Sequence, residues 1–300
     1  MADQPVARAW TIGEGALAAA ILMAFVLVAV APGVLSSPGG LQSGGGALAP
    51  PSVAHPLGTD ILGRDAWARL AFCARTSLAV GLLATGVALT LGMIVGALAA
   101  LLGGWWDDLL MRAAEIADSI PALLLALLLV SVVGPGLVPV ALVVGVTGWL
   151  GIARVVRAEV MVTRESPSVI AARSLGAGWV RVAGRHIAPE VLVPVLALIP
   201  FRLEGAIVVE AGLSFLGVED ARRPSWGAML RDAQPFLRDA WWLTAAPVAA
   251  LAILLFALGL SADYLQRSFD PRLGGVRLGW ELDSTPTPES PSSPTLATRR

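Results

Sequence analysis

The sequence predicts an all-α integral membrane protein built on about six transmembrane helices. Two observations carry that expectation and a third supports it. Of 300 residues, 56% are hydrophobic and only 14% charged, with a mean hydropathy of +0.75, whereas a water-soluble domain carries about 25% charge. Apolar runs recur at the length needed to cross about 30 Å of hydrocarbon, roughly 20 helical residues. Tryptophans (Trp10, Trp105, Trp106, Trp149, Trp241, Trp242) fall at the ends of these runs, where a ring with one polar edge prefers the membrane interface.

The first run extends from about Gly15 to Leu35. It is longer than the roughly 7 to 15 apolar residues of a signal peptide, and only Arg8 precedes it against Asp3, so a retained span is expected. The second runs from Ser77 to Leu102. The third, Ile120 to Val133, and the fourth, Val138 to about Ile152, are short and separated by Gly134-Pro135-Gly136, which predicts a helical hairpin. The fifth runs from Val191 to Leu216 and the sixth from Leu243 to Leu265. Six spans put both termini on one side. With the N-terminus inside, thirteen arginines fall in inside segments against seven outside, which favours cytoplasmic termini.

Around these runs the chain divides into residues 1–54, holding the first span and a Gly/Ser/Pro-rich external linker over Ser36 to Pro51; a transmembrane domain over 55–273; and a tail, 274–300, read as disordered.

Composition excludes some chemistry. All 21 basic residues are Arg, so the Lys that a phosphate-binding loop needs is missing, and any ATP chemistry must come from another polypeptide. Neither a cofactor nor a nucleic-acid partner is implied; the net charge is −1. A single cysteine, Cys73, excludes an intrachain disulfide and a cysteine-cluster metal site.

The connection from Ser166 to Pro189 is too short and too charged to span. It reads as two short helices, with Ser166 capping, Pro167 at the first helical position, and Gly176 closing the first helix in a left-handed conformation. Val169, Ile170, Ala172 and Leu175 give that helix an apolar face beside Arg173. A helix this short needs packing to persist, so something must cover the face. Two readings stay open: the bilayer surface or the protein's own spans, or a cytosolic partner that takes the helix in a groove.

The fifth run holds Arg202, Glu204 and Glu210, charges that a membrane admits only toward a bundle interior, a water-filled path or a partner. At 100° per residue Arg202 and Glu204 lie about 200° apart, and Glu204 and Glu210 about 240° apart, so one regular helix cannot turn all three to one face. Pro194 and Pro200 predict that the helix is interrupted. Outside the runs, His55, Asp60 and Asp65 read as loop-capping residues, with a nickel-type metal site the weaker alternative. His186 reads as a helix-end residue.

Ala171-Ala172, Gly176 four residues later and Pro189 thirteen further on resemble the cytoplasmic coupling loop of binding-protein-dependent ABC permeases, with Ile170 where that family usually has Glu. His55-Pro56-Leu57-Gly58-Thr59-Asp60, Gly63-Arg64-Asp65 and Ala74-Arg75-Thr76-Ser77 resemble the stretch before the second span in the dipeptide, oligopeptide and nickel permeases. Met111-Arg112 with Asp118 and Pro121, Glu210-Ala211 with Leu213 to Gly217, Pro224-Ser225-Trp226-Gly227, and Asp270-Pro271-Arg272-Leu273 are similar to further segments of that family. The resemblance covers His55 to Leu273 and points to the C-type subunit.

It implies a type I ABC importer permease-like bundle in the inner membrane of a prokaryote. The implied partners are a second homologous permease, two cytosolic ATPases that bind ATP-Mg, and an extracytoplasmic solute-binding protein meeting the external loop Val218 to Asp239. Ile170, Ala171, Ala172, Arg173, Gly176 and Pro189 are then expected to couple to the ATPases, and Arg202, Glu204 and Glu210 to line the translocation path. Peptides are the expected cargo, with nickel or another small solute as alternatives. Two rivals are a membrane-embedded enzyme, against which His55 and His186 lie outside the spans and Cys73 just before one, and a secondary carrier using the fifth-span carboxylates, for which internal repeats are expected and not evident.

Overall fold

The computed structural model describes residues 4–35, 46–218 and 223–269. Among these the regular elements are helices: α1 (Gln4–Val30), the one-turn α2 (Pro32–Leu35), α3 (Ala66–Leu102), α4 (Gly104–Asp118), α5 (Ala122–Val133), α6 (Leu137–Gly148), α7 (Leu150–Thr163), α8 (Pro167–Ser174), α9 (Trp179–Val182), α10 (Ala188–Phe215), α11 (Trp226–Ala233) and α12 (Trp241–Phe269). A π-helical turn, Ala183–Ile187, joins α9 to α10. Four stretches are long and apolar enough to cross a membrane: Gly13–Val30, α3, Trp179–Phe215 and α12. The pairs α4/α5, bent by 92°, and α6/α7, bent by 44°, raise the number to six if each pair counts as one span.

α3 is the axis of the bundle. At 37 residues it is about 55 Å long, more than hydrocarbon thickness, and α1, α6, α7 and α10 pack along it. Small residues let the helices approach closely, since lipid gives helices no hydrophobic reason to associate and packing must supply it. A Cβ on Gly145 of α6 would come within 2.6 Å of Val87 and 2.8 Å of the Ala84 carbonyl, and one on Gly96 would meet the backbone of α7 at Ala153. The buried core follows these contacts. One cluster joins α3, α5, α6 and α10 through Val80, Val130, Val144 and Leu213; another joins α3, α7 and the α8–α10 segment through Val156, Val160, Val169, Val182 and Val191.

Polar ties hold the two ends of the bundle. At the end where residues 46–65 and α11 lie, Asp60 accepts from Arg64 Nε at 2.7 Å and Arg69 Nη1 at 3.2 Å, and Arg69 also pairs with Asp232. Asp65 caps α3 by accepting from the Trp67 amide at 2.9 Å, with His55 Nδ1 3.6 Å from it. At the opposite end, Arg157 of α7 makes two 2.5 Å bonds to Asp107 of α4, Arg154 lies 2.7 Å from Asp118, and Arg164 donates to the Ala100 carbonyl near the end of α3. The Arg154–Asp118 pair is about half exposed and contributes little. The Arg157–Asp107 fork is mostly shielded, so an Asp107→Ala variant should lose roughly 1.5–3 kcal/mol, read as a shift in an SDS-unfolding titration in mixed micelles.

Four details differ from expectation. The second span begins at Ala66 rather than Ser77: Arg75 bounds the apolar run in the sequence, but the helix carries it on its exposed side and extends further back to Arg69, which is buried against two carboxylates. The third and fourth spans do form a hairpin across Gly134-Pro135-Gly136, but each is half of a bent pair of two helices. Arg154 and Arg157, read as belonging to a connection, lie on α7, whose opposite side buries Val156 and Val160. Pro194 and Pro200 do not interrupt the fifth span: both sit inside continuous α10, and the irregularity falls upstream in the π turn. Neighbouring helices make this tolerable, since packed partners supply what the missing amide leaves open. The proposed 274–300 tail, the Asp270-Pro271-Arg272-Leu273 motif and most of the Ser36 to Pro51 linker lie outside the described residues.

Candidate functional site

The α7–α10 connection forms a compact foot at the α4 end of the bundle. Pro167 occupies the first turn of α8 with Ser166 before it, but the Ser166 hydroxyl pairs with Ser168 Oγ at 2.9 Å and does not cap a backbone amide. Gly176 ends the helix at φ +83°. Its amide donates to the Arg173 carbonyl at 2.9 Å, and the Ala177 amide to the Ala172 carbonyl at 3.0 Å. Together these two bonds make the Schellman closure, which needs a left-handed residue at the position Gly176 occupies. The chain then enters α9 through Gly178, and Arg173 lies over the Trp179 ring, 5.0 Å from its centroid, bridging the turn. That contact adds on the order of 0.5–1 kcal/mol at an exposed site.

The foot has two faces. Val169 of α8 and Val182 of α9 are completely buried among Val156, Val160 and Ile187, each contributing about 1.5–3 kcal/mol of burial, and Ala172 packs partly against the same cluster. Ile170, Leu175 and Val180 point away, at 56%, 89% and 89% exposure, with Ala171, Arg173, Trp179 and Pro189 exposed beside them. The four-residue apolar face expected of α8 is therefore split, half holding the foot to its own bundle and half uncovered. Trp179 and Val180 extend the uncovered half; no helical periodicity marks them in so short an element, and the alternation of Trp-Val-Arg-Val after Gly178 is the only signal.

Arg202, Glu204 and Glu210 of α10 are not brought together. Arg202 reaches α6 and α7, donating to the Gly148 carbonyl at 3.2 Å, and its guanidinium fills the space a side chain at Gly151 would occupy. It thus sits on the bend between the two helices. Glu210 is 2% exposed and accepts from Ser214 Oγ at 2.8 Å; with Ser214 it lines a small cavity of about 20 Å³ that also touches Thr76, Leu137 and Arg223. Glu204 is half-buried and has no ion pair or hydrogen bond among the described residues. Sequence reading passed over a larger cleft next to that cavity, about 610 Å³ and lined by Arg69, Arg75 and Arg223. Arg69 and Arg75 share α3, but Arg223 is distant in the chain, so only the fold brings it to them.

Residues 88–275 match the family model of the binding-protein-dependent transport system inner membrane component. The chain belongs to that family. Relatives of this inner membrane component include the dipeptide transport system permease protein of Bacillus subtilis, 35% identical over 75% of this chain and 71% of the relative. The putative peptide transport system permease protein of Brucella suis is 38% identical over 75% and 76%, and the oligopeptide transport system permease protein of Bacillus subtilis 35% over 75% and 74%. A chain of the MetNI methionine ABC transporter, solved in inward-facing conformations, superposes with a TM-score of 0.55 over 67% of this chain and 96% of its own, at 19% identity. That likeness shows the fold, and the fold is the type I ABC importer permease-like bundle expected from the sequence.

Proposed function

We propose that this inner membrane component is a permease subunit of an ATP-driven peptide importer in a prokaryotic inner membrane, with both termini on the cytoplasmic side. The observation that carries the reading is the foot: a two-helix element whose Val169 and Val182 are locked into the bundle while Ile170, Leu175 and Val180 stand uncovered. An uncovered apolar knob on a rigid base fits a groove on a partner. The partner is a cytosolic ATPase carrying ATP-Mg, and Ile170, Ala171, Ala172, Arg173, Gly176 and Pro189 belong to the contact. Ile170 in place of Glu makes that contact apolar rather than ionic at this position.

Motion at the foot passes to the bundle along α7, which a short turn over 164–166 joins to α8, and the α6/α7 bend is tied to α10 through Arg202 at Gly148. Alternating access then amounts to α7 and α10 changing angle when the ATPases close. Glu210 and the cavity beside it belong to the translocation path, with Glu204 and Arg202 toward its lateral walls. A second homologous permease completes the path, and an extracytoplasmic binding protein delivers cargo at the α11 end. The names of the relatives support peptides over nickel. A tagged copy expressed with its neighbouring genes should bring down an ATPase and a second permease; recovery of the chain alone from mild detergent would contradict the reading, and a secondary carrier would behave that way.

A further inference from the structure

We infer that the cleft at the α11 end is a carboxylate-binding site that receives the C-terminal end of a peptide, an assignment that rests on the peptide-importer reading and makes it specific. Its floor is one face of α3, where Arg69, Phe72, Cys73, Thr76 and Ala79 recur at spacings of three and four. Leu137, at the start of α6, and Arg223-Pro224 form the walls. At about 610 Å³ the space is of the size that holds small ligands.

Among the described residues its charged lining is all arginine. Arg69 is neutralised by Asp60 and Asp232. Among the described residues Arg75 and Arg223 are exposed, neither has a carboxylate partner, and no acidic side chain lines the cleft. A cation entering here, nickel included, meets the guanidinium groups of Arg75 and Arg223. A carboxylate meets two guanidinium forks, the group best shaped to hold it by paired hydrogen bonds. The next step inward has the opposite character: the small cavity holding Glu210 and Ser214 shares Thr76, Leu137 and Arg223 with the cleft, and its roughly 20 Å³ holds one water and no part of a solute in this conformation. A peptide's carboxylate is thus held at the mouth until the path beyond it widens.

The test uses the whole transporter in proteoliposomes, with trialanine or its C-terminal amide supplied already bound to the binding protein, so that selection by that protein drops out. The wild-type complex should take up the acid about tenfold faster than the amide, and the Arg75→Gln/Arg223→Gln complex should bring the acid down to the rate of the amide. Arg75→Lys should restore part of the difference. A double variant that keeps the wild-type rate for the acid, or slows acid and amide equally, overturns the assignment. A wild-type complex that moves no trialanine overturns the peptide-importer reading itself, and this assignment with it.

Discussion

A Gly176→Val subunit is expected to insert and to co-purify with its partners, yet to support solute uptake at least about tenfold more slowly than wild type. Gly176 sits at φ +83°, a region that costs an L side chain about 1–2 kcal/mol and a β-branched one more. The penalty is conformational and not a clash, because a Cβ at this position meets nothing within 4 Å. Relief comes by opening the turn, which breaks the Gly176-to-Arg173 and Ala177-to-Ala172 bonds and lets α8 swing relative to α9. Eight-residue α8 cannot hold its own angle once the closure is gone. A coupling change of 1.4 kcal/mol is a factor of ten in rate, hence the expected size. Gly176→Ala should fall between the two. Measured uptake in Gly176→Val equal to wild type, at equal membrane abundance, would remove the foot from the coupling pathway.

The second large effect concerns docking. Replacing Leu175 and Val180 together by Asp should weaken ATPase association by about thirtyfold or more, the equivalent of losing a contact worth 2 kcal/mol, while leaving the bundle intact. Each side chain is 89% exposed, so neither supports the fold, and a charge there harms only a partner that must bury it. Thermal stability of the isolated subunit serves as the control. Full ATPase recovery with the double variant would show that the uncovered half of the foot faces lipid or solvent.

Much of this was legible in the sequence, for identifiable reasons. Pro167 and Gly176 announce the ends of α8 because their backbone preferences are local, and the structure keeps both. The six apolar runs follow from hydrophobic thickness, which is equally local. What stayed hidden depends on distant partners. Arg69 looks like a loop residue ahead of a span until Asp60 and Asp232 are folded against it. The fourth run stops near Ile152 in the sequence because Arg154 and Arg157 follow, and that they pair with carboxylates on α4 is something no pattern within α7 reveals. Arg202 and Glu210 were singled out as costly charges, but that Arg202 reaches across to the α6/α7 bend while Glu210 adjoins a cleft is set by the packing of α10 between neighbours. The split of Val169 from Ile170 is of the same kind: both are apolar, and only the bundle decides which of them is buried.

The central claim is that this subunit forms part of a conduit whose driving force arrives through the foot from a nucleotide-hydrolysing partner. The most direct measurement is uptake of radiolabelled trialanine into proteoliposomes holding the purified complex, with and without ATP inside and out, beside vesicles holding this subunit alone. Accumulation against a gradient that requires both ATP and the ATPase, and none with the isolated subunit, is the predicted result. Concentrative uptake by the isolated subunit, with no nucleotide present, would contradict the account.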